Sequence, residues 1–366
     1  MNKSPLLSIV VPTKDRYKYL KHLIELIDSF NSNEIELVLH DNTEDNTEIV
    51  EFLNLKNYSF IRYAHKGEKI PVSLNADLAI LNSTGEYVSL IGDDDGVCRN
   101  IIDCVKWMQI NNVEAVFSRN AYYSWGKRAK VVKNNKIFVK HSAKRELNRL
   151  LKHGLILTKA DVPLLYHGIV KREKLDEIFK IGNTFFGGPT PDISSAINLS
   201  FVIDNYYEIR SPLIINGTSE MTGGGVIKQG GVVHLADISF ISSKDKESWE
   251  KEIPAIWTGT YAWANSGIKS LKYMGKDDLI KEINRNYYLA GAVVTRPRNK
   301  VLIKYALKYT NNRFLLFLLI LKMLLIKYLT KARNLNMKKY IFNNNVNTIV
   351  DAEKFFTNNS INPFNN

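Results

Sequence analysis

The sequence predicts an α/β fold, an open and mostly parallel central sheet with helices on both faces, followed by a basic helical extension. Three observations predict it. Short apolar runs rich in β-branched residues alternate with amphipathic segments over roughly the first hundred residues. Polar and acidic residues cluster where those runs end, and there an open parallel sheet binds its ligands. From Lys246 onward the composition turns helical.

The elements follow in order. Leu6 to Val11 (LLSIVV) reads as a buried strand. In Tyr19 to Ser29, Leu20, Leu23, Ile24 and Ile27 fall on one face of a helix. Ile35 to Leu39 is a second strand, and Ile49, Val50 and Leu53 mark a short helix after it. Ile61 to Tyr63 is a third strand. Leu74, Leu78 and Leu81 share one helical face, and Gly85 suits a left-handed helix end. Tyr87 to Ile91 is a fourth strand running into Gly-Asp-Asp-Asp, and Ala115 to Phe117 a fifth. The aromatic and basic stretch 119–145 reads as a hairpin or loop over the sheet. Leu164 to Lys171 reads as a strand and Arg172 to Phe179 as a helix. The breaker-rich Gly187 to Asp192 leads into a helix from Ile193 to Leu199. The glycines at 223–225 and at 230 and 231 suggest tight turns, those at 223–225 alternatively a loop that closes over a ligand. The Asn-rich segment 341–366 is expected to fray.

Composition narrows the function. With 366 residues, 45% apolar and 24% charged, the chain can bury a sizeable core. Two cysteines, Cys98 and Cys104, make neither a disulfide framework nor a four-ligand zinc site. No signal-peptide stretch opens the sequence, so a reducing, cytosolic compartment is expected. The net charge is +13, yet Arg296 to Tyr340 alone carries twelve Lys or Arg and no Asp or Glu. Arg119 to Arg145 adds nine more basic residues, leaving the remainder net acidic. Positive charge confined to an apolar tail points away from nucleic acid and towards an anionic membrane surface. Phe314 to Leu321 (FLLFLLIL) is too short to span a bilayer, and it suits a helix lying in the interface. A core or dimerisation helix is the bland alternative.

Three strand ends carry the chemistry: Pro12-Thr13-Lys14-Asp15-Arg16, His40-Asp41-Asn42 and Gly92-Asp93-Asp94-Asp95. Adjacent carboxylates raise one another's pKa, and a hard divalent cation, Mn2+ or Mg2+, relieves that repulsion. A solvated acidic turn is the plainer reading of the same triplet.

In that order and spacing, SIVVPTKDR, LVLHDNTEDNT and LNADLAILNSTGEYVSLIGDDDG resemble the family 2 glycosyltransferases of the GT-A fold, of the bacterial surface-polysaccharide type. The match is good over about residues 6–97 and weaker to about 235. The resemblance implies a nucleotide-sugar donor, UDP- or GDP-type, bound by Pro12, Thr13, Asp15, Arg16, Asp41 and Asn75. Asp93 and Asp95 would be the ends of the family's DxD element, with Asp95 the direct metal ligand, joined in the metal site by Asp93. Asp93 or Asp94 would contact the ribose or diphosphate. Gly92, where many relatives have another acid, leaves that register open by one. A general base is implied well downstream at a helix start, and Asp192, 97 residues after Asp95, fits it. Capping that helix is a compatible second role. His234 could complete a metal site or be a packed histidine. The Gln-x-x-Arg-Trp motif of processive synthases does not occur, which implies one sugar added per encounter.

The expected organisation is thus a nucleotide-sugar-binding half over 1–118 and an acceptor-binding, catalytic-base half over 119–240. A helical region over 241–340 with a membrane-associating segment and a flexible tail over 341–366 follow. The expected function is an inverting, metal-dependent transfer of one sugar to a lipid-linked oligosaccharide. The enzyme would be cytoplasmic and held at the inner face of the membrane, in O-antigen or capsule synthesis. The rivals are a nucleotidyltransferase, whose Gly-rich phosphate loop is missing after the first strand, and an inactive binding module of the same fold.

Overall fold

A computed structural model describes residues 4–134, 136–220, 233–334 and 340–364, the side chains at 331–334 excepted. The central sheet has eight strands in the order β3-β2-β1-β4-β10-β6-β11-β9. These are β1 (Leu7–Thr13), β2 (Ile35–Asp41), β3 (Ile61–His65), β4 (Tyr87–Leu90), β6 (Ala115–Phe117), β9 (Phe138–Ser142), β10 (Gly168–Lys171) and β11 (Asn205–Ile209). Six strands run one way, while β10 and β9 run against their neighbours. Two-residue alternation divides the side chains between two cores. Val10, Val38, Val88 and Leu90 face one core, and Ile9, Val11, Leu37, Leu39 and Tyr87 face the other.

Helix α1 (Tyr17–Asp28) presents its expected face, Leu20, Leu23, Ile24 and Ile27, to the second core, with α2 (Thr47–Asn54) beside it. In α3 (Val72–Leu81) the expectation fails. Leu74 and Leu81 are exposed, and Asn75, Ala76, Asp77, Ala79 and Ile80 turn inward. Small alanines let the helix lie close against β1 and β2, where Asn75 finds its partners His40 and Thr13. Gly85 is likewise no left-handed cap, since the helix has ended at Leu81 and Gly85 has no positive φ. It is needed because a Cβ there would come within 2.7 Å of the Ser8 backbone nitrogen.

Asp77 pins α3 to the segment that leads to Asp192, accepting from Thr184 Oγ1 at 2.6 Å and Phe185 N at 2.8 Å. Burial pushes its carboxyl up to about 6. A carboxyl raised above its unfolded value gives stability that is full below that value and lost as pH rises through the folded one. In Asp77→Asn the amide oxygen accepts from Phe185 N and the amide nitrogen donates to Thr184 Oγ1, so the variant is expected to match the parent near pH 4 and to exceed it above pH 7. A gain of about 2–3 kcal/mol follows from the size of the shift. Thermal melts across that range check it; an equal difference at both ends would refute the cause.

Strands β7 (Ala121–Ser124) and β8 (Arg128–Val132) form the expected hairpin, in a second sheet with order β15-β8-β7-β12-β5. Its other members are β5 (Gly96–Val97), β12 (Ile214–Thr218) and β15 (Tyr340–Asn343). β15 overturns the expected fraying of 341–366. It pairs antiparallel with β8, from Tyr340 on Val132 to Asn343 on Ala129. The helix Ile349–Asn358 then packs on α1. Thr348 and Asp351 form a capping box at its start, and Ile349, Ala352 and Phe356 are fully buried. Asparagines set the average polarity of this tail and hid an apolar stripe. Phe356→Ala is expected to cost about 3 kcal/mol by cavity formation, read as a lower urea midpoint. No measurable change would mean that the tail is not part of the core.

Between these parts lie α4 (Ile101–Ile110), α5 (Ala143–Lys152), α6 (Arg172–Gly182) and α7 (Pro191–Val202). The helices Gly259–Tyr273, Arg285–Thr295, Lys300–Tyr309 and Arg313–Asn334 follow. The glycines at 223–225, 230 and 231 lie outside the described residues.

Candidate active site

Strand β1 ends in a turn whose geometry aims one side chain. Asp15 has φ +56°, a left-handed conformation tolerated by Asp, and its N–H donates to Thr43 Oγ1 at 2.8 Å. The Asp15 carboxylate points outward, but the turn brings Arg16 over the end of β4. Arg16 Nη1 lies 2.8 Å from Asp93 Oδ1 and Nη2 lies 2.7 Å from Asp94 Oδ2, so one guanidinium spans two carboxylates. Thr13 Oγ1 donates to Asp93 Oδ2 at 2.7 Å. Pro12 sits half-buried just before it.

The three aspartates are not a solvated turn. They are 1%, 3% and 1% exposed. Burial pushes the Asp93 carboxyl up to about 7 against the pull of Arg16 and Thr13. Asp94 is raised by burial and then by Asp95, again against Arg16. Asp95 accepts from four donors: Gly92 N at 2.7 Å, His167 Nε2 at 2.6 Å and Tyr166 Oη at 3.3 Å on Oδ2, and Gly217 N at 2.8 Å on Oδ1. Ser219 N donates to Asp94 Oδ2 at 3.2 Å, and Trp125 Nε1 to the Asp94 carbonyl at 2.7 Å.

Sequence reasoning missed this outer ring. Tyr166 and His167 lie in LLYHGIVK, which was expected to be strand throughout, yet β10 begins only at Gly168. His167 has φ +62°, which swings its ring back to Asp95 while Asn216 Nδ2 reaches Nδ1 at 3.0 Å. A polar Tyr-His pair interrupting an apolar run before a glycine was the available signal. Gly217 is required by close approach, because a Cβ there would fall 1.7 Å from the Asp94 carbonyl oxygen.

Asp192 lies in the first turn of α7, after Thr190 at the N-cap and Pro191 at the first position. It is therefore not the capping residue. Its Oδ1 accepts from Ile193 N at 2.8 Å and its Oδ2 from Trp263 Nε1 at 2.7 Å. Burial raises its pKa against both hydrogen bonds. Trp263, from the helix Gly259–Tyr273, had no signature in the sequence. Tyr166 joins the two acidic groups. Burial, then the charges of Asp95, Asp94, Asp192 and Asp93, push its phenol well above the ordinary range. Asp95 is in hydrogen-bond contact with that hydroxyl, at 3.3 Å, and the other three carboxylates act on it through their charge.

Other expected site residues take supporting places. Asp41 is fully buried and accepts from Tyr17 Oη at 2.6 Å, Tyr63 Oη at 2.9 Å and Thr43 N at 2.9 Å, so its carboxylate offers no open face. Asn75 is buried too, bonded to His40 Nδ1 at 2.6 Å and to the Thr13 carbonyl at 3.3 Å. His234 is exposed on the short strand β13 (Val233–His234), paired with β14 (Ile256–Trp257).

The residues at this site suit a divalent cation by charge and by donor type. Two of the three buried carboxylates, Asp93 and Asp94, share the Arg16 guanidinium, the third faces His167, and hard oxygens are the donors. Among the described residues no three His, Cys, Asp or Glu side chains are gathered as a ligand set. An ion here would complete its shell from water and substrate oxygens, as Mg2+ commonly does.

Residues 8–167 match the model of the family described as Glycosyl transferase family 2, and that span holds Thr13, Arg16, the aspartates and His167. That stretch, a little under half of the chain, is similar to a family 2 glycosyltransferase domain. Over 124 residues the chain is 27% identical to Glycosyltransferase GlyG of Streptococcus pneumoniae serotype 4, covering 33% of this chain and 40% of that protein. It is 30% identical over 118 residues to an uncharacterized glycosyltransferase of Rickettsia bellii, covering 31% of this chain and 16% of that one. The chain therefore spans less than half the length of the curated relatives it matches. The crystal structure of S. aureus TarS 1–349 in complex with UDP-GlcNAc superposes with a TM-score of 0.50 at 13% identity, over 79% of this chain and 75% of that one. That likeness bears out the expected GT-A fold.

Proposed function

We propose that the protein is an inverting glycosyltransferase. It would move one sugar from a nucleotide-diphosphate sugar to a lipid-linked glycan acceptor, in the assembly of a surface polysaccharide such as O-antigen or capsule. The observation that supports this most is a buried acidic cluster, Asp93 and Asp94 braced by Arg16 and Asp95 held by His167, together with a separate buried Asp192 whose charge also acts on Tyr166. Transfer needs one group to manage diphosphate charge and another to take a proton from the opposite side. The solved complex of TarS with UDP-GlcNAc makes UDP-sugars the first donors to test, with GDP-sugars second.

In this reading Arg16 and Thr13 fix Asp93 and Asp94 at the donor's diphosphate and ribose. A cation, Mn2+ or Mg2+, would be held by Asp95 and Asp93 and would supply Lewis acidity to the leaving diphosphate. Asp95 would give up a present contact for it, of which Tyr166 is the longest. Asp192 removes the acceptor hydroxyl proton as that oxygen bonds to the anomeric carbon. The anomeric carbon–oxygen bond to the diphosphate breaks, and the nucleoside diphosphate leaves with the electron pair. A carboxylate made more basic by burial suits that step.

Purified protein mixed with UDP- and GDP-sugars, with and without Mn2+, tests the proposal. Thermal stabilisation by one donor and slow release of its nucleoside diphosphate are expected. Release of pyrophosphate from a nucleoside triphosphate and a sugar phosphate would favour nucleotidyl transfer instead. Binding without any turnover would indicate an inactive module.

A further inference from the structure

We propose that the helix Arg313–Asn334 lies lengthwise in the surface of an anionic membrane, docking by a face that the fold leaves bare. The helix has 22 residues and two unlike long sides. Inward, Leu316 and Met323 are buried and Leu319, Ile320 and Leu324 pack on the core, against the helix Arg285–Thr295. Lys327 Nζ ties the same side to the Val294 carbonyl at 2.9 Å. Outward, Phe314, the adjacent pair Phe317 and Leu318, then Leu321, Leu325 and Tyr328 follow one another at three or four residues, so they share one stripe. All are exposed, Phe314 at 72% and Tyr328 at 73%. The stripe extends over four turns, about 20 Å at the helical rise.

Charge selects the occupant. Between Arg296 and Tyr340 there are twelve Lys or Arg and no Asp or Glu, and exposed Arg313 and Lys322 belong to this run. A second copy on this face would set two unbalanced positive segments together, whereas an anionic leaflet attracts each such charge by about 1 kcal/mol. No described helix is long and apolar enough to cross a membrane, and a helix apolar outward with basic neighbours lies in the interface. The proposal adds to the transfer reaction the side on which a lipid-borne acceptor would arrive, and it is tested without turnover.

Truncation before Arg313 is a poor test, because it also removes β15 and the buried helix Ile349–Asn358. The full chain with Phe317, Leu321 and Leu325 each replaced by Glu keeps the inner face intact. Cosedimentation would be measured with vesicles of phosphatidylcholine alone and of phosphatidylcholine mixed with phosphatidylglycerol. The parent is expected to pellet with the mixed vesicles, less at high salt, and the triple variant to bind at least about tenfold more weakly with an unchanged melting temperature. Lys322→Glu is expected to weaken binding to the mixed vesicles only. A parent that stays in solution with both vesicles overturns the proposal. So does a triple variant that binds as well, or a parent dimer that the triple variant dissolves. A parent that binds vesicles but transfers no sugar would leave the docking in place and reject only the proposed transfer.

Discussion

Asp192→Asn is expected to lower the rate of sugar transfer at least about a hundredfold, the lower end of what a positioned general base contributes. Donor affinity should stay within about twofold, because Asp192 belongs to α7 while the groups around Asp93–Asp95 come from the strand ends. Trp263→Phe supplies the companion measurement. It removes the N–H that donates to Asp192 Oδ2 and keeps most of the ring's bulk. That N–H favours the carboxylate, so its loss raises the Asp192 pKa above its already raised value. The acidic limb of the pH–rate profile is therefore expected to move to higher pH, with kcat reduced and KM little changed. Tyr166 and Asp93–Asp95 also face this region, so the profile should be measured with donor saturating. Equal losses of donor affinity and of rate in Asp192→Asn would assign this aspartate to the donor site instead.

Arg16→Met is the second large effect. It strips the one guanidinium that spans Asp93 and Asp94 and leaves their charges buried without compensation, at a cost of about 3–5 kcal/mol. The deficit should depend on pH with a defined sign. Asp93 is raised to about 7 by burial even with Arg16 present, so the stability it contributes is full below its unfolded pKa and is lost as pH rises through 7. Without Arg16 the carboxyl rises further. The variant should therefore approach the parent near pH 4 and fall furthest behind near pH 8, and Asp94→Asn added to it should restore part of the loss. Thermal melts at the two pH values decide the matter. A deficit of the same size at both would show that Arg16 stabilises by packing rather than by charge.

The central sheet was legible because its strands are local runs. Ile9, Val10 and Val11 are buried on both faces, and such strands need an unbroken β-branched stretch. Ladder order makes the three polar strand ends neighbours, so Thr13, Arg16 and the aspartates could be singled out as one group. α3 was misread because helical periodicity reports that residues share a face without saying which way the face turns. Its leucine side met water, since the alanine side fitted closer to the sheet. Asp41 shows the same limit, for a carboxylate at a strand end looks open in sequence and is closed here by two tyrosines.

By itself the sequence determined the parallel sheet, the acidic strand end, a second aspartate at the start of a distant helix and an acid-free basic segment. Each depends on neighbours along the chain, where spacing sets geometry. Only the tertiary structure decided that Tyr166 and His167 close around Asp95, that Trp263 holds Asp192 and that the Asn-rich tail locks onto α1. Those contacts join residues tens to hundreds of positions apart. Their energies come from burial and from hydrogen bonds made after the chain has packed, and no local pattern records them.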